Sequence, residues 1–209
     1  MLTRVLEEYD EMASSADKIF KKIEQECGDC IKCRLQCSDC CHAVFGLFLV
    51  EYAYINHHFN NLPLAEKEEI LKRTDKADED LQQMQQRLAE CKDNPQLQNE
   101  TMARERIRCP LLNDNDECAL YPFRPITCRI YGIPVASHGK VQICWKSGFK
   151  KGEAYPTFNL DLVYANLYKM SKDLLTTAGQ SDMDRASILV SISKSLRTPI
   201  EELINEKLD

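Results

Sequence analysis

The sequence has no long uninterrupted apolar segment. No stretch approaches the ~18 consecutive apolar residues that a membrane-spanning helix needs. The first ten residues, MLTRVLEEYD, turn acidic at once, whereas a secretory signal continues into an apolar segment. We therefore expect a cytoplasmic protein that does not enter a membrane.

Positive charge and glycine are also scarce. There are 27 lysines and arginines against 33 aspartates and glutamates, which gives a net charge of −6, and the basic residues are scattered. This balance argues against a nucleic-acid-binding protein. The seven glycines form neither a P-loop nor a dinucleotide-binding motif, and no Ser-His-Asp order is present. Whether the protein is an enzyme is therefore left open, and we lean towards a protein without catalytic activity.

Cysteine is the residue that the sequence does concentrate. Ten of the 11 cysteines fall into two groups, namely Cys27, Cys30, Cys33, Cys37, Cys40 and Cys41, and then Cys109, Cys118, Cys128 and Cys144. Packing alone does not require such clustering. In a reducing compartment, clustered thiols are more often metal ligands or redox groups than disulfides. Because neighbouring thiolates repel one another unless a cation lies between them, the pattern favours a soft metal.

The remainder of the sequence predicts helices. Apolar residues from Val5 to Ile23 recur on one helical face, which predicts a helix over roughly residues 3–26. Similar patterns predict helices over residues 51–59, 63–92, 95–107, 160–175 and 183–196, and a last one that begins at Thr198-Pro199. Gly179 is expected to end the helix over 160–175. Residues 109–121 and 133–144 each read as a β-hairpin.

These elements predict a mainly α fold with a small cysteine-rich β/loop core (α+β), in which helices wrap a metal-binding centre. We expect residues 1–209 to form one domain. Its cysteine-rich metal-binding core covers residues 27–145, with a helical insertion at about 50–107. Residues 1–26 and 157–209 are predicted to form flanking helices.

Two known cysteine motifs fit the first group in part. Cys27, Cys30, Cys33 and Cys37 have the C-x2-C-x2-C-x3-C spacing of bacterial ferredoxins, but Ser38 stands where those proteins have proline and no second run follows. Cys33, Cys37 and Cys40 have the C-x3-C-x2-C spacing of radical S-adenosylmethionine enzymes. Those enzymes need an alternating array of strands and helices, which this helix-dominated sequence does not predict.

A third motif covers more of the chain. Its elements are Cys33-x3-Cys37-x2-Cys40-Cys41, Cys109-Pro-Leu-Leu, the segment from Cys118-Ala-Leu-Tyr through Arg124-Pro125 to Cys128-Arg129, and Cys144. In this order the sequence resembles the CxxCxxCC (YkgJ-like) family of zinc- or iron-chelating proteins. The motif spans residues 33–144, about half of the chain. The resemblance implies metal binding through Cys33, Cys37, Cys40, Cys41, Cys109, Cys118, Cys128 and Cys144, or a subset of them. Cys27 and Cys30 lie outside the family pattern, so their role as ligands stays open.

Eight thiols exceed the four that one structural zinc ion or one cubane cluster takes. Either two sites exist, or some thiols do not bind metal. The spacings C-x8-C and C-x9-C after Cys109 differ from the paired C-x2-C knuckles of zinc ribbons, so we favour an iron–sulfur cluster over zinc. The predicted role is electron transfer, redox sensing or assistance to a partner protein. The alternatives are a zinc-stabilised interaction module and, less favoured, a cluster-dependent enzyme.

Several residues near the motif have two interpretations. Arg124 and Arg129 either form surface ion pairs or offset the negative charge of a thiolate-bound cluster. Tyr121 and Trp145 flank candidate ligands and are expected to shield them from solvent. Cys91, on an apolar helical stripe, is expected to be a core thiol.

Overall fold

The computed structural model describes residues 2–34 and 37–205 of the chain. Within them the protein is mainly helical with one small β-sheet, as the sequence predicts. The eight helices are α1 (Leu2–Cys27), α2 (Leu49–Asn60), α3 (Leu64–Glu90), α4 (Pro95–Arg104), α5 (Ile126–Arg129), α6 (Leu160–Thr177), α7 (Ile192–Arg197) and α8 (Ile200–Asn205). Residues 35–36 and 206–209, which the predicted core and C-terminal helices include, lie outside the described residues.

The main hydrophobic core lies between α1, α2 and α6. Helix α1 buries Val5, Tyr9, Ala13, Ala16 and Ile23 at intervals of three, four and seven residues, so they form one face of the helix. Helix α2 is buried on nearly all sides and packs against α1, α6, α7 and α8. It therefore belongs to the centre of the molecule, whereas α3 buries only four residues along its length and packs with α4 and α7.

The sheet has three short strands in the order β2-β1-β3. Strands β1 (Val135–Ser137) and β2 (Lys140–Gln142) are antiparallel and form the hairpin predicted over residues 133–144, while β3 (Phe158–Asn159) pairs parallel to β1. The turn falls at His138 and Gly139, which both have positive φ. The Asp161 carboxylate accepts bonds from Ser137 Oγ at 3.0 Å and from the His138 N–H at 2.9 Å, and so ties the turn to α6.

The predicted helix over residues 183–196 is wrong, because the chain is extended between two shorter elements. A 3₁₀ turn covers Met183–Ser187, and α7 begins only after Ser191, whose Oγ accepts from Lys194 N at 3.1 Å. Between them, Val190 exchanges two backbone hydrogen bonds with Leu47, at 2.8 and 2.9 Å. Tertiary pairing here overrides helix propensity.

The predicted end of α6 is confirmed. The helix stops at Thr177 and Gly179 takes a positive φ of 76°, so that Gly179 N and Gln180 N bond back to the last turn. Across residues 2–34 and 37–205, no helix has both the length and the apolar character that crossing a membrane requires.

Candidate metal centre

A 3₁₀ turn, Asp39–His42, carries the adjacent cysteines Cys40 and Cys41. In an extended strand neighbouring side chains point to opposite faces, but this tight turn brings the two Sγ atoms within 4.0 Å of each other. The Asp39 side chain is buried and anchors the turn. It accepts bonds from Arg106 Nη2 at 2.9 Å and from the Tyr131 hydroxyl at 3.0 Å, and Lys146 Nζ lies 3.4 Å away.

Backbone hydrogen bonds fasten the second group of cysteines to this turn. Cys109 N donates to Cys41 O at 2.7 Å, and Ile107 N donates to His42 O at 3.1 Å. The hairpin predicted over residues 109–121 is reduced to a single bridge between Leu112 and Cys118, closed by a polar turn. This short turn places Cys109 and Cys118 side by side, because their segments run antiparallel across the bridge.

Cys128 lies on α5, and its thiol is close to the cysteines described above. The helix follows Arg124-Pro125, and its first amide, Ile126 N, donates to the buried Glu51 carboxylate of α2 at 3.2 Å. Burial, and after it the proximity of Cys40, Cys109 and Cys118, raises the pKa of the Cys128 thiol. Two segments about seventy residues apart in the sequence therefore share one site.

We call these side chains the five-thiol group, which consists of Cys40, Cys41, Cys109, Cys118 and Cys128. Burial is the main cause that raises the pKa values of Cys118, Cys128 and Cys109, the last to about 12. The sulfurs of Cys40 and Cys41 lie at hydrogen-bond distance, and this contact is the first cause that lowers the pKa of Cys40 and raises that of Cys41. Ionising the whole group would thus require a compensating cation.

The other three candidate ligands, Cys33, Cys37 and Cys144, form what we call the three-thiol group. Burial and then the nearby Cys37 and Cys144 raise the pKa of Cys33 to about 12. Cys33 Sγ also donates to the Tyr131 carbonyl at 3.1 Å. Gly132 leaves room for it: a Cβ there would lie 2.2 Å from Cys33 Sγ, and the φ of Gly132 is +105°. The next residue after Tyr131 must therefore be glycine for this packing.

A cavity of about 700 Å³ adjoins both groups. Seven of the eight predicted ligands line it, and only Cys144 does not. Cys33 and Cys37 also line a narrower crevice, together with Gly132, Cys144 and Lys146, which has no room for a sphere the size of a water molecule. Cys33 and Cys37 thus line both spaces, whereas Cys144 lines the crevice alone.

Arg124 and Arg129 differ sharply in their surroundings. The guanidinium of Arg124 stacks on the Tyr121 ring, 3.7 Å from its centroid, and among the described residues its buried Nε has no hydrogen-bond partner. Its charge favours the thiolate forms of Cys40, Cys118 and Cys128. Arg129, by contrast, is buried and bonds the carbonyls of Arg124 and Pro122 and the carboxylate of Asp17 on α1. Arg129 therefore braces the fold. It forms the ion pair that one of its two interpretations expected, but with a buried guanidinium and not at the surface.

The remaining cysteines lie away from these groups. Cys27 and Cys30 interact electrostatically with each other at the end of α1 and line neither the cavity nor the crevice. Cys91 caps α3 and is only half-buried, so it is not the core thiol that the stripe predicted. Trp145 is 76% exposed and does not shield the site, whereas Tyr121 covers Arg124.

Sequence reasoning missed Asp39, Lys146 and Gly132 as parts of the site. Asp39 directly precedes Cys40 and Lys146 follows Cys144 by two residues, but a charged residue near a cysteine has no distinctive spacing. Gly132 follows Tyr131, three residues after Arg129. Only the close approach of Cys33 Sγ in the folded protein gives this glycine a role.

All eleven cysteines are free thiols. As their side chains stand, no three His, Cys, Asp or Glu residues within 2–34 and 37–205 form a group that could hold a metal ion. The donor chemistry nevertheless fits a soft metal, since buried thiols surround a common space beside an arginine. A change of one χ1 rotamer displaces a cysteine sulfur by roughly 3 Å, so side-chain rotation alone can alter this geometry.

Comparisons with models of protein families, with curated proteins and with solved structures give no match to this chain.

Proposed function

We propose that this protein binds an iron–sulfur cluster through the five-thiol group and acts in electron transfer, in redox sensing or as an assistant to a partner protein in the cytoplasm. The observation that carries this proposal is the convergence of five thiols and the Arg124 guanidinium on one cavity. Four of the five thiols suffice for a cubane. We take one of Cys40 and Cys41 to be the thiol left over, because their sulfurs contact each other at 4.0 Å.

Electrostatics supports a metal at this position. Burial and mutual repulsion oppose ionisation of Cys109, Cys118 and Cys128, so the thiolates need a strong positive charge among them. Arg124 supplies one positive charge, which is too little for four thiolates. A metal centre would supply the remainder, and thiolate ligands select zinc or an iron–sulfur cluster over hard cations.

The size of the cavity favours a cluster over a single zinc ion. A structural zinc site is closed by four ligands around one ion and leaves no space. Here the thiols border a cavity of about 700 Å³, and the Arg124 guanidinium beside them would offset the negative charge of a thiolate-ligated cluster.

The test is metal and sulfide analysis after anaerobic purification, together with the visible absorption spectrum. We expect a brown protein with iron and acid-labile sulfide in equal amounts, and we expect Cys118→Ser to lose both. Cys91→Ser is the matched control, because it removes a thiol outside both groups. A wild-type protein with stoichiometric zinc and no iron would establish the zinc-stabilised module instead.

A cluster-dependent enzyme is the second candidate, and the cavity is the observation that favours it. Its volume falls within the range of small-molecule sites, and apolar side chains such as Val44, Phe45, Leu81 and Ile107 form part of its wall. An enzyme of this kind would leave one iron without a cysteine ligand. Mössbauer spectra of the reduced protein would then resolve one distinct iron site, whereas an electron-transfer cluster would show none.

A further inference from the structure

We propose that the exposed side of strand β2 and the turn after it form a docking surface for a small acidic electron-carrier protein. We call this surface the β2 patch, and it consists of Lys140, Val141, Ile143, Trp145 and Lys146. The proposal deepens the function proposed above. The choice of an electron carrier rests on the iron–sulfur cluster, whereas the surface itself does not.

The centre of the β2 patch is apolar. Strand β2 lies at an edge of the sheet, and all its residues are exposed. Val141 and Ile143, 61% and 41% exposed, are two residues apart, so in an extended chain they point to the same side. Among the described residues, Trp145 exposes the largest fraction of any large apolar side chain, and Lys146 Nζ lies 5.3 Å from the centre of its ring. Single exposed apolar residues are ordinary, but neighbouring ones mark interaction sites.

The charge of this region is positive. Residues 137–152 contain no aspartate or glutamate, although the whole chain has a net charge of −6. They contain four lysines, all exposed, namely Lys140, Lys146, Lys150 and Lys151. Among the described residues, Lys146 and Lys150 each pair with one carboxylate, whereas Lys140 and Lys151 pair with none. An apolar centre with a charged rim is the usual anatomy of a protein interface, and here the rim fits carboxylates.

The β2 patch also includes the chain on both sides of a candidate ligand. Cys144 lies between Ile143 and Trp145, is half-buried and lines the crevice with Cys33 and Cys37. A partner on the patch would therefore lie beside the cysteine groups. One electron would pass from the reduced carrier to the oxidised cluster, which oxidises the carrier and reduces the cluster by one electron each, and no bond forms or breaks.

Charge and position together select this occupant over two others. In a symmetric dimer the patch would face its own copy, so that the same lysines would repel one another. An anionic membrane matches the lysines but gives the neighbouring cysteines no electron donor. An acidic carrier matches both, and electrostatic complementarity favours the fast, short-lived complexes that electron carriers form.

The first test is calorimetric titration of the anaerobically purified protein with two acidic carriers, a plant-type ferredoxin and a flavodoxin. We expect both to bind at low salt. Trp145→Ala should weaken binding about 30-fold, because a central aromatic anchor carries much of the energy of an interface. Lys140→Glu should weaken binding roughly tenfold, because it repels the carboxylates of the carrier.

Lys92→Glu is the matched control, because it makes the same charge change at an exposed residue in the turn after α3. It should bind both carriers as the wild type does. Unchanged binding in Trp145→Ala and Lys140→Glu would overturn the proposal, as would a wild-type protein that binds neither carrier.

Fluorine NMR locates the bound carrier. Trp145 is the only tryptophan of the chain, so a fluorotryptophan label gives one signal from the β2 patch. We expect this signal to shift when either carrier is added and to return at about 1 M salt, where the Debye length falls to about 3 Å. A signal that bound carrier leaves unmoved would overturn the proposal. So would a shift caused by phosphatidylserine vesicles but by neither carrier, or a dimer in sedimentation that Trp145→Ala dissociates.

Failure of the docking surface and failure of the cluster give different results. If the protein holds no iron, but both carriers bind it and depend on Trp145 and Lys140, the docking surface stands and the iron–sulfur proposal fails. If dithionite reduces a cluster in the protein, but reduced ferredoxin reduces Trp145→Ala as fast as the wild type, the cluster stands and the docking surface is overturned.

Discussion

At the scale of single residues, Arg124 and Arg129 carry the same charge but have different surroundings and different roles. Arg129 uses its guanidinium to join α1, the segment around Pro122 and its own helix α5. Arg124 makes no side-chain hydrogen bond through its buried Nε and lies near three thiols of the five-thiol group. Of the two arginines, Arg124 is therefore the one placed to tune the proposed cluster.

We expect Arg124→Gln to lower the reduction potential of the proposed cluster while its iron content stays the same. A nearby positive charge favours the reduced, more negative cluster, and its loss should shift the potential by on the order of 50 mV, or about 1.2 kcal/mol for one electron. Redox titration measures the shift. Arg108→Gln is the control, because Arg108 lines the same cavity but bonds the Asn113 carbonyl. An equal shift in both variants would mean that only net charge matters.

Gly132 is the second residue with a particular requirement. Gly132→Ala would force a Cβ into a positive-φ backbone and to within 2.2 Å of Cys33 Sγ. We expect it to lose about 3 kcal/mol of unfolding free energy, from backbone strain and overpacking together.

Gly152→Ala is the matched control for Gly132→Ala. Gly152 has a similar φ of +91°, but a Cβ there would meet nothing within 4 Å. Gly152→Ala should therefore lose only about 1 kcal/mol of unfolding free energy, from backbone strain alone. Urea denaturation of both variants checks the difference, and equal losses would show that Cys33 simply moves aside.

At the scale of elements, Glu51 links three helices beneath the site. Its buried carboxylate accepts from the Tyr9 hydroxyl of α1 at 3.2 Å, from Ile126 N of α5 at 3.2 Å and from Phe48 N, just before α2, at 3.3 Å. Burial raises the pKa of Glu51 to about 7, although these donors favour the charged form. The link between α1, α2 and α5 therefore titrates near neutral pH.

The raised pKa of Glu51 predicts a pH-dependent stability. The folded protein binds a proton at this group more tightly than the unfolded chain, so Glu51 adds stability as pH falls from about 8 towards the unfolded pKa near 4.5. Its contribution at pH 5.5 should exceed that at pH 8 by about 2 kcal/mol. Urea denaturation of the wild type and of Glu51→Gln at both pH values isolates the contribution of Glu51 to the unfolding free energy. If the two proteins depend on pH in parallel, Glu51 does not titrate in this range.

Across the whole molecule, the helices and the cysteine segments are stabilised in different ways. The main core joins α1, α2, α6 and α8 through buried apolar side chains. The cysteine segments contain short 3₁₀ turns, the four-residue helix α5 and isolated bridges. Their order rests on few backbone bonds, so a bound metal would stabilise them far more than it stabilises the helices.

We therefore expect removal of metal to loosen the cysteine segments and to leave the helices intact. After anaerobic chelation, the circular dichroism at 222 nm should remain largely unchanged, while trypsin should gain access to Arg108 and Arg129. The bond after Arg124 is protected in both states, because proline follows it. Cleavage within the exposed face of α3 serves as the internal control. An identical digestion pattern with and without chelator would argue against a structural role for the metal.

The sequence by itself determined the helices with strong apolar periodicity, the hairpin over residues 133–144 and the end of α6 at Gly179, because spacing and turn chemistry are local. The sequence also identified eight cysteines as candidate metal ligands. Which metal they bind, and in which function, is still a prediction.

Only the tertiary structure decided how those cysteines divide. Cys40 lies near Cys109, Cys118 and Cys128, and Cys33 lies near Cys37 and Cys144 and also near Cys40. Each group therefore combines both cysteine stretches of the sequence. The division depends on the 3₁₀ turn at Asp39 and on backbone bonds between Cys41 and Cys109. A second long-range backbone pairing, between Leu47 and Val190, interrupts the helix predicted over residues 183–196. Contacts between residues far apart in the chain carry no periodic pattern, and so only the folded molecule reveals them.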